Sequence, residues 1–213
     1  GYAVADGTSM ATPQMAGVSA VVLQRVQSDP LFASMSARQQ VDVVQNLIMG
    51  TATPVVDPAQ DSGAYYSPRK QGAGLVNALA ATTSSVYPTV VGAPEPSRPK
   101  ADLGDGTTGW HFDVTLHNLS GVEATYELSS QALSEIVDGG FFTGSATDWR
   151  GKGVTVTYSG AAAGSGEGAS VTVPASGEVT VGVDIAPGSE FASYVADNAP
   201  NGTFLDGFVR FAS

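Results

Sequence analysis

The residues best suited to chemistry stand near the start of the chain, in Gly7-Thr8-Ser9-Met10-Ala11-Thr12-Pro13. Ser9 lies between small residues and just ahead of a long apolar run. A serine hydroxyl is a weak nucleophile, so acyl transfer also needs a general base, a group that orients the base, and donors for the oxyanion. A helix N-terminus supplies such donors through its unpaired N–H groups and the positive end of its dipole. Gly7 and Ala11 leave room for a substrate backbone. The competing reading is that Ser9 is an N-cap with no catalytic role, because serine before a helix is a common cap.

The element that would carry this serine runs from Ser9 to about Gln27 and is apolar on nearly all faces, which predicts a buried helix. Pro13 falls about one turn in, Gly17 permits close approach of another backbone, and Asp29-Pro30 ends the element. Ser36-Ala37-Arg38-Gln39 is an S-x-x-Q capping box. It predicts a second helix with Val41, Val44, Leu47 and Ile48 on one side and Gly50 at its close. Residues 51–67 read as an irregular loop, and a short third helix is expected over residues 75–81.

Near residue 82 the texture shifts to Thr, Ser, Pro and Gly. The boundary between two units is placed near residue 84, because Val86-Tyr87-Pro88-Thr89-Val90-Val91 already reads as an edge strand. Beyond it the apolar period is two: Phe112, Val114 and Leu116, then residues 154–158, 171–173 and 179–185, and a last strand over 204–211. Short strands with Gly-rich turns indicate a β-sandwich. Residues 160–169, rich in Gly and Ala, are expected to form a mobile loop.

Charge divides along the same line. Of the net −11, residues 1–85 hold five acids and four bases, and residues 86–213 hold fifteen acids and five bases. Such a surface lacks the lysines and arginines that nucleic-acid affinity rests on. There is no cysteine, hence no disulfide or thiolate metal site, and no run of about 18 apolar residues that would span a membrane.

Other candidate groups carry less. His111 and His117 lie six residues apart in a β pattern on the face of Asp113 and Thr115, which predicts outward side chains, with a metal pair as the alternative. Asp102 and Asp105 could join a calcium site, but no loop has the regular spacing of a calcium motif, and a solvated acidic face is the simpler reading. Asn118-Leu119-Ser120 and Asn201-Gly202-Thr203 match the glycosylation sequon.

The full string GTSMATPQMAG resembles the nucleophile motif of the subtilisin-like serine peptidases, in which G-T-S-M-A-x-P opens a buried helix with the catalytic serine at its start. Two further stretches narrow the resemblance. Tyr66-Ser67-Pro68-Arg69-Lys70-Gln71-Gly72-Ala73-Gly74-Leu75-Val76-Asn77 is similar to the end of the catalytic domain in lactocepin-type cell-envelope proteinases and related streptococcal complement peptidases. Residues 201–211 are similar to a late strand of the fibronectin-type-III-like domain that follows it there. Asp6 departs from the pattern, standing where the family has a small or amide residue.

The resemblance implies a two-part α + β chain. Residues 1–84 would be the C-terminal helical end of an α/β catalytic domain, and residues 85–213 a truncated fibronectin-type-III-like β-sandwich. It implies that Ser9 is the nucleophile, that its N–H is one oxyanion donor, and that Thr8, Ser9 and Met10 form the mount. The parent would be a secreted or cell-surface bacterial serine endopeptidase acting on proteins or peptides without a cofactor, any calcium belonging to the parent enzyme. In that family the catalytic Asp and His and the oxyanion Asn precede the serine. The chain alone is therefore expected to be inactive, with the missing N-terminal part of the catalytic domain as its partner. A reading of another class makes the β-sandwich an adhesion or substrate-positioning module.

Overall fold

A computed structural model describes residues 5–60 and 62–213. Helix α1 (Thr8–Ser28) is stopped by Asp29, which turns extended and accepts the Leu31 N–H at 3.0 Å, while Pro30 opens a 3-10 turn, Pro30–Phe32. Helix α2 (Ala37–Gly50) starts at the expected capping box. Ser36 Oγ accepts from the Gln39 N–H at 3.4 Å, and Gln39 Oε1 accepts from the Ser36 N–H at 2.9 Å. Gly50 is the last helical residue and Thr51 takes the cap. Two short helices follow, α3 (Pro68–Gln71) and α4 (Ala78–Thr83).

Helices α1, α2 and α4 meet around Val22, Val26, Phe32, Val44, Leu47 and Ala81. Arg25 pins the far end of α1 to the segment leaving α4: its guanidinium donates to the Ser84 carbonyl at 2.6 Å and the Ala81 carbonyl at 3.3 Å, and lies 5.2 Å above the Phe32 ring. The expectation of all-round burial fails for the rest of this helix. Only Val22 and Val26 are buried, residues 8–14 are exposed, and Val21 stands 53% exposed. The apolar periphery is real, but α2 and α4 reach only the C-terminal half.

From Val86 onward the chain is mostly strand. One antiparallel sheet has the order β1 (Val86–Val90), β2 (Trp110–Asn118), β7 (Glu178–Pro187), β5 (Val154–Gly160). The second is built on β3 (Ala124–Asp138), which pairs with β6 (Ser170–Val173) near its start, β8 (Asp206–Ala212) along its middle and β4 (Phe141–Asp148) near its end. Val114, Val181 and Val183 of the first sheet share one apolar core with Leu128, Ala132 and Val171 of the second. A fifth helix, α5 (Ser189–Asn198), lays Phe191 and Tyr194 on Trp149 with ring centroids 5.2 and 4.7 Å away. The segment expected to be mobile folds back instead: Ser165 accepts the Tyr158 N–H, Ala163 bridges Ser170, and Glu167 pairs with Arg150 at 2.8 Å.

Residues 52–71 lie against the second sheet. Opposite Ile136 of β3, strand β4 carries three residues, Thr143, Gly144 and Ser145, so the register bulges there. Gly144 has φ 88°, which an L side chain rarely adopts, and the Lys70 Nζ fills the space that a Cβ would need. Further along the same seam Ala64, Leu133 and Ala146 are fully buried together, with Tyr65 and Phe208 packed on them.

The turn from β2 to β3 hangs on Asn118, 2% exposed. Its amide donates to the carbonyls of Val122, Pro174 and Val173 and accepts from the Ser120 N–H and hydroxyl. Replacing it with alanine removes a buried amide that ties together the carbonyls of Val122, Val173 and Pro174 and the Ser120 N–H and hydroxyl. Asn118→Ala is expected to lose about 2–4 kcal/mol of stability, read as a lower urea midpoint; a shift below about 0.5 kcal/mol would refute this account of the turn.

Candidate functional site: the start of helix α1

Gly7, not Ser9, caps α1. It sits at φ 121°, ψ 175°, open space surrounds its Cα, and its carbonyl accepts from both the Met10 and Ala11 N–H groups at 3.0 Å. A glycine is required by that backbone angle rather than by crowding. Thr8 and Ser9 are thus the first two helical residues, and their N–H groups lie ahead of the first intrahelical bond. No acidic side chain stands in the first turn to neutralise the dipole. Ser9 is exposed, and its hydroxyl makes no hydrogen bond among the described residues. Thr12 turns its hydroxyl back to the Thr8 carbonyl at 2.7 Å, and Pro13 has no N–H to offer the Ser9 carbonyl. The mount expected from sequence is therefore a helix start whose Ser9 hydroxyl and first two N–H donors meet no partner among the described residues, with no acidic side chain in its first turn. Met10 is the mount's apolar member, 41% exposed.

The structure does not bring a base to this serine from the two histidines, which both lie on β2. His111 is exposed, with Nδ1 2.8 Å from Asp184 and Nε2 3.3 Å from Asp113. The hydrogen bond with Asp184 pushes its pKa up, against slight desolvation, and the charges of Asp184 and Asp113 add to the rise. His117 is more enclosed than a simple outward face would make it. It stacks on Tyr87 with ring centroids 4.8 Å apart, its Nε2 lies 2.9 Å from the Thr89 hydroxyl, and its Nδ1 lies 2.9 Å from Glu178. Burial pulls its pKa down, only partly offset by Glu178. Strand β1 makes the difference, because it pairs alongside β2 and lays Tyr87 over His117.

Among the described residues no group of three or more His, Asp or Glu side chains is arranged to hold a metal ion, and this includes Asp102 and Asp105. No described helix is long and apolar enough to cross a membrane. Of the two sequons, Asn118 is buried in its turn and Asn201 is exposed.

What the sequence reading missed is a polar seam between the segment around Arg69 and the second sheet. Arg69 donates through Nε to Asp206 at 2.8 Å and through its terminal nitrogen to Glu135 at 2.9 Å, and lies 4.1 Å over the Phe204 ring. Partial burial works against its charge, but the two carboxylates outweigh it and raise its pKa. Ser67 donates to the same Asp206 oxygen at 2.5 Å. Asp57, 1% exposed, is held below the ordinary carboxyl range. The Ser145 side chain is the largest cause, acting against burial, with help from the Ala59 N–H, Tyr66 and Lys70.

Comparison with known proteins finds two family matches along the chain. Residues 1–74 match the subtilase family and residues 102–213 match the Fn3-like domain. Over 99% of its length the chain is similar to the C5a peptidase of Streptococcus pyogenes serotype M1, at 28% identity over 217 residues. It is likewise similar to the PII-type and PI-type proteinases of Lactococcus lactis subsp. cremoris, at 31% identity over 218 residues. The longer part of the chain belongs to the Fn3-like domain family, and its first 74 residues carry the match to the subtilase family. It spans 16% of the length of the streptococcal relative and 11% of the lactococcal ones.

Two outcomes follow from the local geometry. Because Gly7 is the cap and Ser9 is unbonded, Ser9→Ala should change stability by less than about 0.5 kcal/mol, whereas a capping serine would lose about 1 kcal/mol; denaturant unfolding separates the two. In an NMR titration His111 should titrate above 6.5 and His117 below it. The His111 contribution to stability is then complete below pH 6.5 and lost as pH rises through its raised pKa. That of His117 is present above 6.5 and lost as pH falls through its lowered one. The reverse order of titration would contradict the assigned environments.

Proposed function

We propose that this chain is the serine-bearing part of a secreted or cell-surface bacterial subtilisin-like endopeptidase, which hydrolyses peptide bonds through an acyl-enzyme on Ser9. Residues 1–84 form the C-terminal end of the catalytic domain, and residues 85–213 form a fibronectin-type-III-like β-sandwich. The observation that carries the reading is the start of α1. The G-T-S-M-A-T-P string stands where the helix begins, with the Ser9 hydroxyl exposed and the Thr8 and Ser9 N–H groups ahead of the first intrahelical bond, without a partner among the described residues.

In the proposed reaction a base removes the Ser9 proton as Oγ attacks the carbonyl carbon of the scissile peptide. The developing oxyanion accepts from the Ser9 N–H, aided by the dipole of α1, and the base returns the proton to the leaving amine. Water then releases the acid product from Ser9. Thr8 and Met10 hold the turn on either side of the nucleophile. Residues 5–84 contain no histidine, and the two in the chain are engaged on β2, so the base comes from polypeptide outside these 213 residues. Its absence alone removes most of the rate enhancement of such a triad. The exposed half of α1 is the surface on which that polypeptide packs, which fits the charge-free stretch from Thr8 to Gln24.

Labelling by a fluorophosphonate probe tests the proposal. The purified chain should label at background level. Mixed or co-expressed with the upstream part of a peptidase domain from its own gene, it should label at Ser9 and hydrolyse peptides, and Ser9→Ala should abolish both. Hydrolysis by the chain alone, or a restored enzyme indifferent to Ser9→Ala, would overturn the assignment.

A further inference from the structure

The seam between residues 52–71 and the second sheet has the chemistry of a domain interior rather than of a contact between finished surfaces. Gln131 of β3 uses its side-chain amide as a substitute peptide group: Oε1 accepts the Tyr65 N–H at 2.9 Å and Nε2 donates to the Gly63 carbonyl at 3.1 Å. A loop backbone that would otherwise lie unpaired is thereby satisfied in both senses. Beside it, Ala64, Leu133 and Ala146 have no exposed surface at all, Asp57 is 1% exposed, and the Lys70 ammonium takes up the space at Gly144. Arg210 of β8 donates to the Tyr65 hydroxyl at 2.7 Å. Ser67, 1% exposed, gives its proton to Asp206.

Within the segment of residues 52–71 the contacts among the described residues are local and polar: one turn of helix, α3, the Asp57 N–H to the Ala64 carbonyl, the Tyr66 N–H to the Val55 carbonyl, and the Gln71 side chain joining Val55 to Tyr66. Its apolar side chains Val55 and Val56 are exposed, at 41% and 45%, so it has little core of its own. A segment this poor in internal burial cannot offset the entropy of ordering about twenty residues without an external template.

We infer that the two-sheet unit is the folding template for residues 57–71, so that this part of the subtilase segment is ordered only while Gln131, Glu135, Asp206 and the Gly144 bulge hold it. The sheet residues are positioning residues. They order the strap that leads through Gly74 and Leu75 into α4, the helix to which Arg25 of the Ser9 helix is tied. The inference concerns order within this chain and stands whether or not Ser9 proves to be a nucleophile.

Hydrogen exchange on the full chain tests it. Gln131→Met keeps the length of the side chain on a partly exposed sheet face but removes both bonds to the loop. Exchange at Asp57, Gly63, Tyr65 and Gln71 should quicken about tenfold or more, while Val114 and Val181 in the sheet core keep their protection. Glu135→Gln should have the same pattern at smaller size, which guards against a general loss of structure in the first variant. Unchanged exchange at residues 57–71 in both variants would overturn the inference. So would a uniform acceleration that reaches Val114 and Val181 equally in the milder variant, since it would show global destabilisation in place of a lost template.

Discussion

A single carboxylate does much to decide how this molecule holds together. Asp206 opens β8, and one of its oxygens receives both the Ser67 hydroxyl and the Arg69 guanidinium, whose other nitrogen reaches Glu135 on the neighbouring strand. The pairing of β3 with β8 is what brings Glu135 and Asp206 close enough to share one arginine. Once they do, the residues around Arg69 lie flat on the sheet, and Lys70 is carried into the bulge of β4. An arginine suits this position better than a lysine. Its planar fork can satisfy two carboxylates at once and still offer a face to Phe204.

The other half of the molecule is organised from the opposite end of the Ser9 helix. Val22 and Val26 are its buried residues, and Arg25 lies between them in sequence, tied to the carbonyls that close α4. The helix is therefore anchored by its last two turns, while its first turns project with Gly7, Thr8 and Ser9 at the tip. This separates what the site needs chemically from what the fold needs mechanically. The N-terminal turn is free to keep its hydroxyl and N–H donors unengaged by any described residue because none of the observed packing depends on it.

Legibility in the sequence followed the range of the interactions. The capping box at Ser36, the stop at Asp29-Pro30 and the period-two strands over residues 112–116 and 179–185 depend on neighbours a few positions apart, and they stand where the sequence places them. Ser9 was legible as a site candidate because a long string of small and apolar residues surrounds it. The long strand β3 was not. Its alternation is broken by Ser129, Ser130 and Ser134, and polar residues inside it are explained only by partners far along the chain, such as the indole N–H of Trp149 that Ser134 accepts at 2.9 Å. Helix α5 was missed for a similar reason, since Phe191 and Tyr194 acquire a purpose only when Trp149 lies beneath them. The exposure of α1 misled in the other sense: an apolar periphery announces burial, and α2 and α4 bury half.

The bulge at Gly144 links positions that are distant in sequence. Lys70 and Gly144 belong to different units, yet the ammonium of one stands where the first side-chain carbon of any other residue at 144 would have to be, and the backbone there is already left-handed. A side chain gained at 144 would have to push the end of the lysine aside, and a shortened residue at 70 would leave a vacancy beneath a glycine that its backbone angle still requires. One volume is thus shared by a side chain and a backbone from distant parts of the chain, and the bulge together with the residue that fills it is a single steric unit.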